Sequence, residues 1–88
     1  MINSKQIEIA KRILQLSEAE VKEFSIDLDN TDAVYISVPI KGGASVIISA
    51  DGEVLYANSS VSFDVHVREF LAGRRTPLSA FEQVVTDG

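Results

Sequence analysis

From Phe24 to Ala57 apolar side chains recur at alternate positions, and short strings of turn-forming residues cut that run into pieces. This period of two confines the middle of the chain to β structure with a buried and an outer face. Phe24, Ile26 and Leu28 alternate with Ser25 and Asp27, which predicts a strand over residues 23–28. Asp29-Asn30-Thr31-Asp32 reads as a turn, because Asx side chains bond their own backbone and tolerate left-handed conformations. Val34, Ile36, Val38 and Ile40 supply a second strand. Pro39 cannot donate to a ladder, so the end of that strand belongs at a sheet edge or a bulge. Beyond the turn at residues 41–44, the consecutive Val46, Ile47 and Ile48 suit a central strand buried on both sides. Asp51-Gly52 is the strongest hairpin signal and predicts a type I′ turn, with residues 53–57 pairing back. The expectation is a three- to four-stranded antiparallel meander.

Helical periodicity takes over at both ends. Over residues 4–16, Ile7, Ala10, Ile13 and Leu14 share one side, extended by Ile9 and Leu16, while Lys5, Glu8, Lys11, Arg12 and Gln15 take the other. The apolar arc is wider than the ~100° stripe of a helix lying on one surface. This helix is therefore expected to touch two things: the sheet, and either a second helix or another subunit. Ser17-Glu18-Ala19-Glu20 has the form of a capping box and opens a second short helix or a new turn. After residues 58–60 a helix begins at Ser62, with Asp64 in its first turn and Phe63, Val67, Phe70 and Leu71 on its apolar face. Gly73 stands where a left-handed C-terminal glycine belongs. Thr76-Pro77 restarts helix, with Leu78, Phe81, Val84 and Val85 as its buried side. The fold class is thus α+β: an N-terminal amphipathic helix, the meander, and one or two C-terminal helices packed on the sheet. The whole of 1–88 is read as a single small domain, its core expected from Ile7, Leu14, Ile36, Val38, Ile47, Leu55, Phe70 and Phe81.

Charge and composition bear on function more than on fold. The net charge is −5, and the segment from Glu18 to Asp32, with six carboxylates against Lys22, carries all of it. A nucleic-acid binder needs the opposite sign along a face, so nucleic acid is not an expected partner. An acidic segment suits a basic protein partner, a cation or plain solvation. The chain has no cysteine, which rules out disulfides and thiolate metal sites and suits a reducing compartment. Met1-Ile2-Asn3-Ser4-Lys5 lacks the apolar core of a signal peptide, and no stretch approaches the ~20 apolar residues of a membrane span. A cytoplasmic location without membrane contact is expected.

Four strings invite a chemical reading. Asp27-Leu28-Asp29-Asn30-Thr31 resembles the first motif of the haloacid dehalogenase superfamily, D-x-D-x-T at a strand end. The resemblance implies Asp27 as a phosphate-accepting nucleophile and Asp29 as acid/base beside magnesium. That fold requires a parallel sheet, a lysine and a further acidic pair, whereas a hairpin follows directly here, so the string is read as an Asx turn. As a calcium loop it fails where glycine and glutamate are required, since Asp32 and Val38 stand there. His66, the only histidine, flanks the apolar face of its helix and reads as a half-buried edge residue rather than a general base. A pairing of His66 with Ser59, Ser60 or Ser62 has no nucleophile-elbow context. Gly73-Arg74-Arg75-Thr76-Pro77 sets two guanidinium groups beside a helix start that favours anions, although helix-end capping explains the same residues. Finally, residues 49–58 resemble the strand–DG–strand–Asn element of PAS-type sensor domains.

These observations favour a non-catalytic protein-interaction module, of accessory, inhibitor or immunity type. It would present Glu23, Asp27, Asp29 and Asp32 to a partner protein, or associate with itself as a homodimer. The alternative is a small-ligand or anion sensor built on Arg74, Arg75 and His66. Enzymatic activity is not expected, no catalytic or metal-ligating set is assigned, and no cofactor is implied.

Overall fold

A computed structural model describes residues 2–28, 31–39, 43–58 and 60–77. Seven elements follow in chain order: α1 (Ser4–Leu14), α2 (Glu18–Phe24), β1 (Ser25–Asp27), β2 (Val34–Ser37), β3 (Ser45–Ile48), β4 (Val54–Ala57) and α3 (Phe63–Leu71). The strands form one antiparallel sheet in the order β1-β2-β3-β4. Each link between them is only a few residues long, too short for the crossover of a dozen or more residues that a parallel pair needs. The α+β class and a four-stranded meander are as expected, but Glu23 and Phe24, read as strand, belong to α2, and β2 ends at Ser37.

Strand pairing decides which side chains share a face. Val34 lies opposite Ile48, Ile36 opposite Val46, and Ile48 opposite Val54. These five pack with Ile7 and Ala10 of α1 and Val21 of α2. The opposite face carries Tyr35, Ile47 and Leu55, which meet Val67 and Phe70 of α3 together with Leu28 and Ala33. The wide apolar arc of α1 is spent as expected on two neighbours, the sheet and α2. Of the expected core, Ile7, Ile36, Ile47 and Phe70 are buried, and Leu14, Val38 and Leu55 are half-buried. Phe81, Leu78, Val84, Val85 and the second C-terminal helix lie outside the described residues, as do Asp29, Asn30, Ile40, Lys41 and Gly42.

Helix ends follow their local chemistry. Ser17 and Glu20 exchange the two bonds of a capping box, which settles the change of pattern there as the start of α2. α1 stops at Leu14 because Gln15 turns left-handed, at φ 56°. α3 ends in a Schellman arrangement: Gly73, at φ 98°, donates to the Phe70 carbonyl and Arg74 N–H donates to that of Glu69.

The β3–β4 hairpin departs from the type I′ expectation. Only Gly52 has positive φ there, at 98°, whereas type I′ needs it at both central residues. Gly52 N–H closes a turn on the Ser49 carbonyl, and the Ser49 hydroxyl accepts from Glu53 N–H and donates to Asp51. Ser49 thereby draws one more residue into the loop. Gly52 is also a point of close approach, since a Cβ there would sit 3.1 Å from Lys5 Cδ and 3.2 Å from Ile9 Cδ1.

One polar side chain fixes α1 on the sheet. Gln6 is fully buried, and its amide donates to the carbonyls of Asp32 (3.0 Å) and Ile48 (2.9 Å). Its Oε1 accepts from Asn3 N–H, while Asn3 Oδ1 accepts from Gln6 N–H, completing a capping box. The same amide therefore ties the start of α1 to the β1–β2 turn and to the end of β3. Gln6→Ala strands the buried Ile48 carbonyl, the part-buried Asp32 carbonyl and a helix-end N–H, so a loss of about 2–4 kcal/mol is expected in urea unfolding. Gln15→Ala, on the exposed C-terminal cap position, serves as the comparison and should cost less than half as much.

Candidate functional site

The carboxylates singled out in the sequence lie on successive elements at one edge of the sheet. β1 is the outermost strand on that side, α2 leads into it, and the β1–β2 turn follows it. Glu18, Glu20 and Glu23 on α2, Asp27 at the end of β1, and Asp32 in the turn are all exposed. Lys22, the cation within this stretch, pairs with Glu18 at 3.2 Å. Pairing with Val34 places Asp27 on the α1/α2 side of β1, whereas Ile26, opposite Tyr35, points to the α3 side and is 55 % exposed. Asp29 lies outside the described residues.

His66 is buried, at 1 % exposure, not at the half-buried edge that its helical position suggested. Both ring nitrogens are engaged: Nε2 lies 2.7 Å from the Leu55 carbonyl and Nδ1 lies 3.2 Å from Ser45 Oγ. A carbonyl can only accept, so Nε2 carries the proton and Nδ1 accepts from the Ser45 hydroxyl. The serine partner is thus Ser45, a residue the sequence reading passed over, because cross-strand pairing and not chain proximity brings it to α3. Tyr35 stands edge-on to the imidazole at 5.6 Å and to Phe63 at 4.7 Å. Burial depresses the His66 pKa below its ordinary 6.5, with the Leu55 carbonyl opposing in part. This neutral, doubly bonded imidazole joins α3 to β3 and β4.

The two arginines do not converge. Arg74 pairs with Glu69 at 3.2 Å and lines a groove along β4 together with His66, Tyr56 and Asn58. Arg75 lies 3.8 Å over the Phe70 ring, donates to the Phe70 carbonyl at 2.9 Å, and sits 3.5 Å from Glu53. It borders a different groove, lined also by Asp32 and Asp51. Asp51 is held below the usual carboxylate pKa, chiefly by the Ser49 hydroxyl and then by backbone, with Lys5 and Arg75 adding to the effect. An anion beside Arg75 would therefore face carboxylates. The helix-end role expected of this pair is visible in Arg75, whose guanidinium satisfies a carbonyl of the last turn of α3. Thr76 donates its N–H to the Val54 carbonyl and its hydroxyl accepts from Tyr56 N–H, bridging the outer edge of β4; the helix it is expected to cap lies outside the described residues.

Among the described residues no three His, Asp or Glu side chains gather in a way that could hold a metal ion. None of the described helices is long and apolar enough to cross a membrane. No protein-family model, curated protein or solved structure matches the chain.

The state of His66 sets a pH dependence. The unfolded chain protonates this imidazole near 6.5, while the folded protein resists until a lower pH, so the unfolded state binds more protons between those values. Stability is full above 6.5 and is lost as pH falls below it, with a slope of at most ~1.4 kcal/mol per pH unit. Urea unfolding at pH 7.5 and 5.5 should show that loss, and the imidazole proton resonances of the folded protein should stay unshifted through 6.5. A midpoint at 6.5 in the folded protein contradicts the assignment.

Proposed function

We propose that this chain is a non-catalytic protein-interaction domain that offers the acidic β1 margin to a basic segment of a partner protein. The supporting observation is the exposed set Glu20, Glu23, Asp27 and Asp32, carried by α2, β1 and the following turn at the β1 edge of the sheet. Carboxylates so grouped add their fields, steer a cationic partner and disfavour nucleic acid. His66 spends both nitrogens on buried structural bonds, which accords with a non-catalytic reading. The separation of Arg74 from Arg75, each beside a carboxylate, leaves the anion-sensor reading without a shared pocket. Self-association through this margin would set like charges against each other, so the reading favours a foreign partner over a homodimer. A cysteine-free chain of this kind suits the cytoplasm.

A lysine-rich peptide tests the reading. It should bind the protein with an affinity that falls steeply with salt. Glu23→Lys with Asp32→Lys should weaken that binding at least tenfold at unchanged melting temperature. Glu8→Lys with Glu53→Lys, an equal change of net charge elsewhere, should weaken it far less. Equal losses for the two pairs would reduce the effect to net charge and refute a localised surface.

A further inference from the structure

The two helical layers are held to the sheet by different means. On one face α1 and α2 bury Gln6, Ile7, Ala10 and Val21. On the other, α3 buries His66 and Phe70 and leaves Phe63, Val65 and Leu71 43 %, 42 % and 63 % exposed. A layer with so few buried contacts is the part of a fold that opens first. Among the described residues, the side-chain hydrogen bonds that run from α3 to the strands are the two made by His66. Beyond α3, Arg75 adds a contact to the Phe70 ring and carbonyl, and its guanidinium stays charged throughout. The chain is pinned to the sheet on both sides of this helix, by the pairing of Ala57 with Ser45 and by Thr76 at the edge of β4. α3 is therefore a flap with two fixed ends and a histidine as its polar fastening.

That fastening suits only the neutral ring. Nε2–H donates to the Leu55 carbonyl, and Nδ1 accepts from the Ser45 hydroxyl. A proton added at Nδ1 would point at the hydroxyl hydrogen of Ser45 and set a charge inside an apolar layer. The groups that face the ring are Ser45 from β3, Leu55 from β4 and Tyr35 from β2, none of which supplies a negative charge. Tyr56, Glu69 and Arg74 line the groove beside it, and the last two pair with each other at 3.2 Å. Asp64 and Arg68, on α3 itself, are exposed. We infer that α3 is an acid-released flap: a proton taken up by His66 frees it from the sheet while α1, α2 and the four strands stay folded, uncovering the apolar face that carries Tyr35, Ile47 and Leu55. In the open form the imidazole meets water and titrates near its ordinary 6.5, whereas burial in the closed form holds it lower. The open form therefore takes the proton more readily between those values, and opening is favoured as pH falls below 6.5. Above 6.5 both forms are neutral and the flap stays closed. Gln6, which anchors the opposite layer, has no group that titrates, so that layer does not respond.

Backbone amide exchange of the full chain at pH 7.5 and 5.5, corrected for the intrinsic rate, tests the flap. A helix of nine residues is marginal in water without the sheet, so its amides exchange once it is released. Protection over residues 67–71 should fall by up to about tenfold per pH unit below 6.5, while protection in α1 and β3 holds. Equal loss in α1 and α3 would make acid sensitivity a property of the whole fold and overturn the inference. Protection in α3 that is the same at both pH values overturns it as well. His66→Gln places a neutral amide that can donate to Leu55 and accept from Ser45, and it should keep α3 closed at both pH values. An acid-induced loss in α3 that persists in this variant rules out His66 as the sensor. Whatever the stability of the variant, the contrast between α3 and α1 in the unaltered chain decides by itself.

Discussion

The buried amide of Gln6 is the contact on which the arrangement of layers depends. A polar group without water must find partners, and this one finds three on separate parts of the chain. Its bonds to the Asp32 and Ile48 carbonyls set where the first turn of α1 meets the sheet. Asn3 adds a bond to the Ala50 carbonyl, and Gly52 lets the hairpin lie against Lys5 and Ile9. Apolar packing alone would let α1 slide along the valine and isoleucine surface. The directional bonds remove that freedom, and α2, joined to α1 by a short link, is then carried onto the strands nearest β1.

Placement of α1 and α2 on one face leaves α3 to serve the other. Its anchor is again a buried polar side chain: His66 bonds a strand carbonyl on one side and a strand hydroxyl on the other. Both helical layers are thus registered by hydrogen bonds and filled in by apolar contact. α3 is held to β3 and β4 by these bonds and reaches β2 through the ring of Tyr35. The exposed carboxylates sit on α2, on the short outer strand and in the turn that follows it. Charges at a sheet margin deter unwanted strand pairing, so the same residues protect this outer edge.

Much of this was legible in the sequence, and the failures have identifiable causes. Alternation from Phe24 to Ala57 located four strands, because a half-buried strand imposes a period of two. Ser17 and Glu20 announced α2, and Gly73 the end of α3, since both are local rules obeyed locally. Gln6 was passed over as one more polar residue, although Asn3 three positions earlier completes a capping box and was the available signal. Nothing local marks it as buried, because its partners Asp32 and Ile48 are far along the chain. The pairing of His66 with Ser45 was hidden for the same reason. Clustering of the acidic residues could be read because they are contiguous in sequence. The split of Arg74 from Arg75 could not, as it depends on how the chain turns after Gly73.

The most direct test of this account is a map of backbone amide resonances as a lysine-rich peptide is added. Shifts concentrated at Glu20, Glu23, Asp27 and Asp32, with the β4 side quiet, are the predicted result. Shifts centred instead on Tyr56, Asn58 and Arg74 would move the binding surface to the groove along β4 and contradict the account.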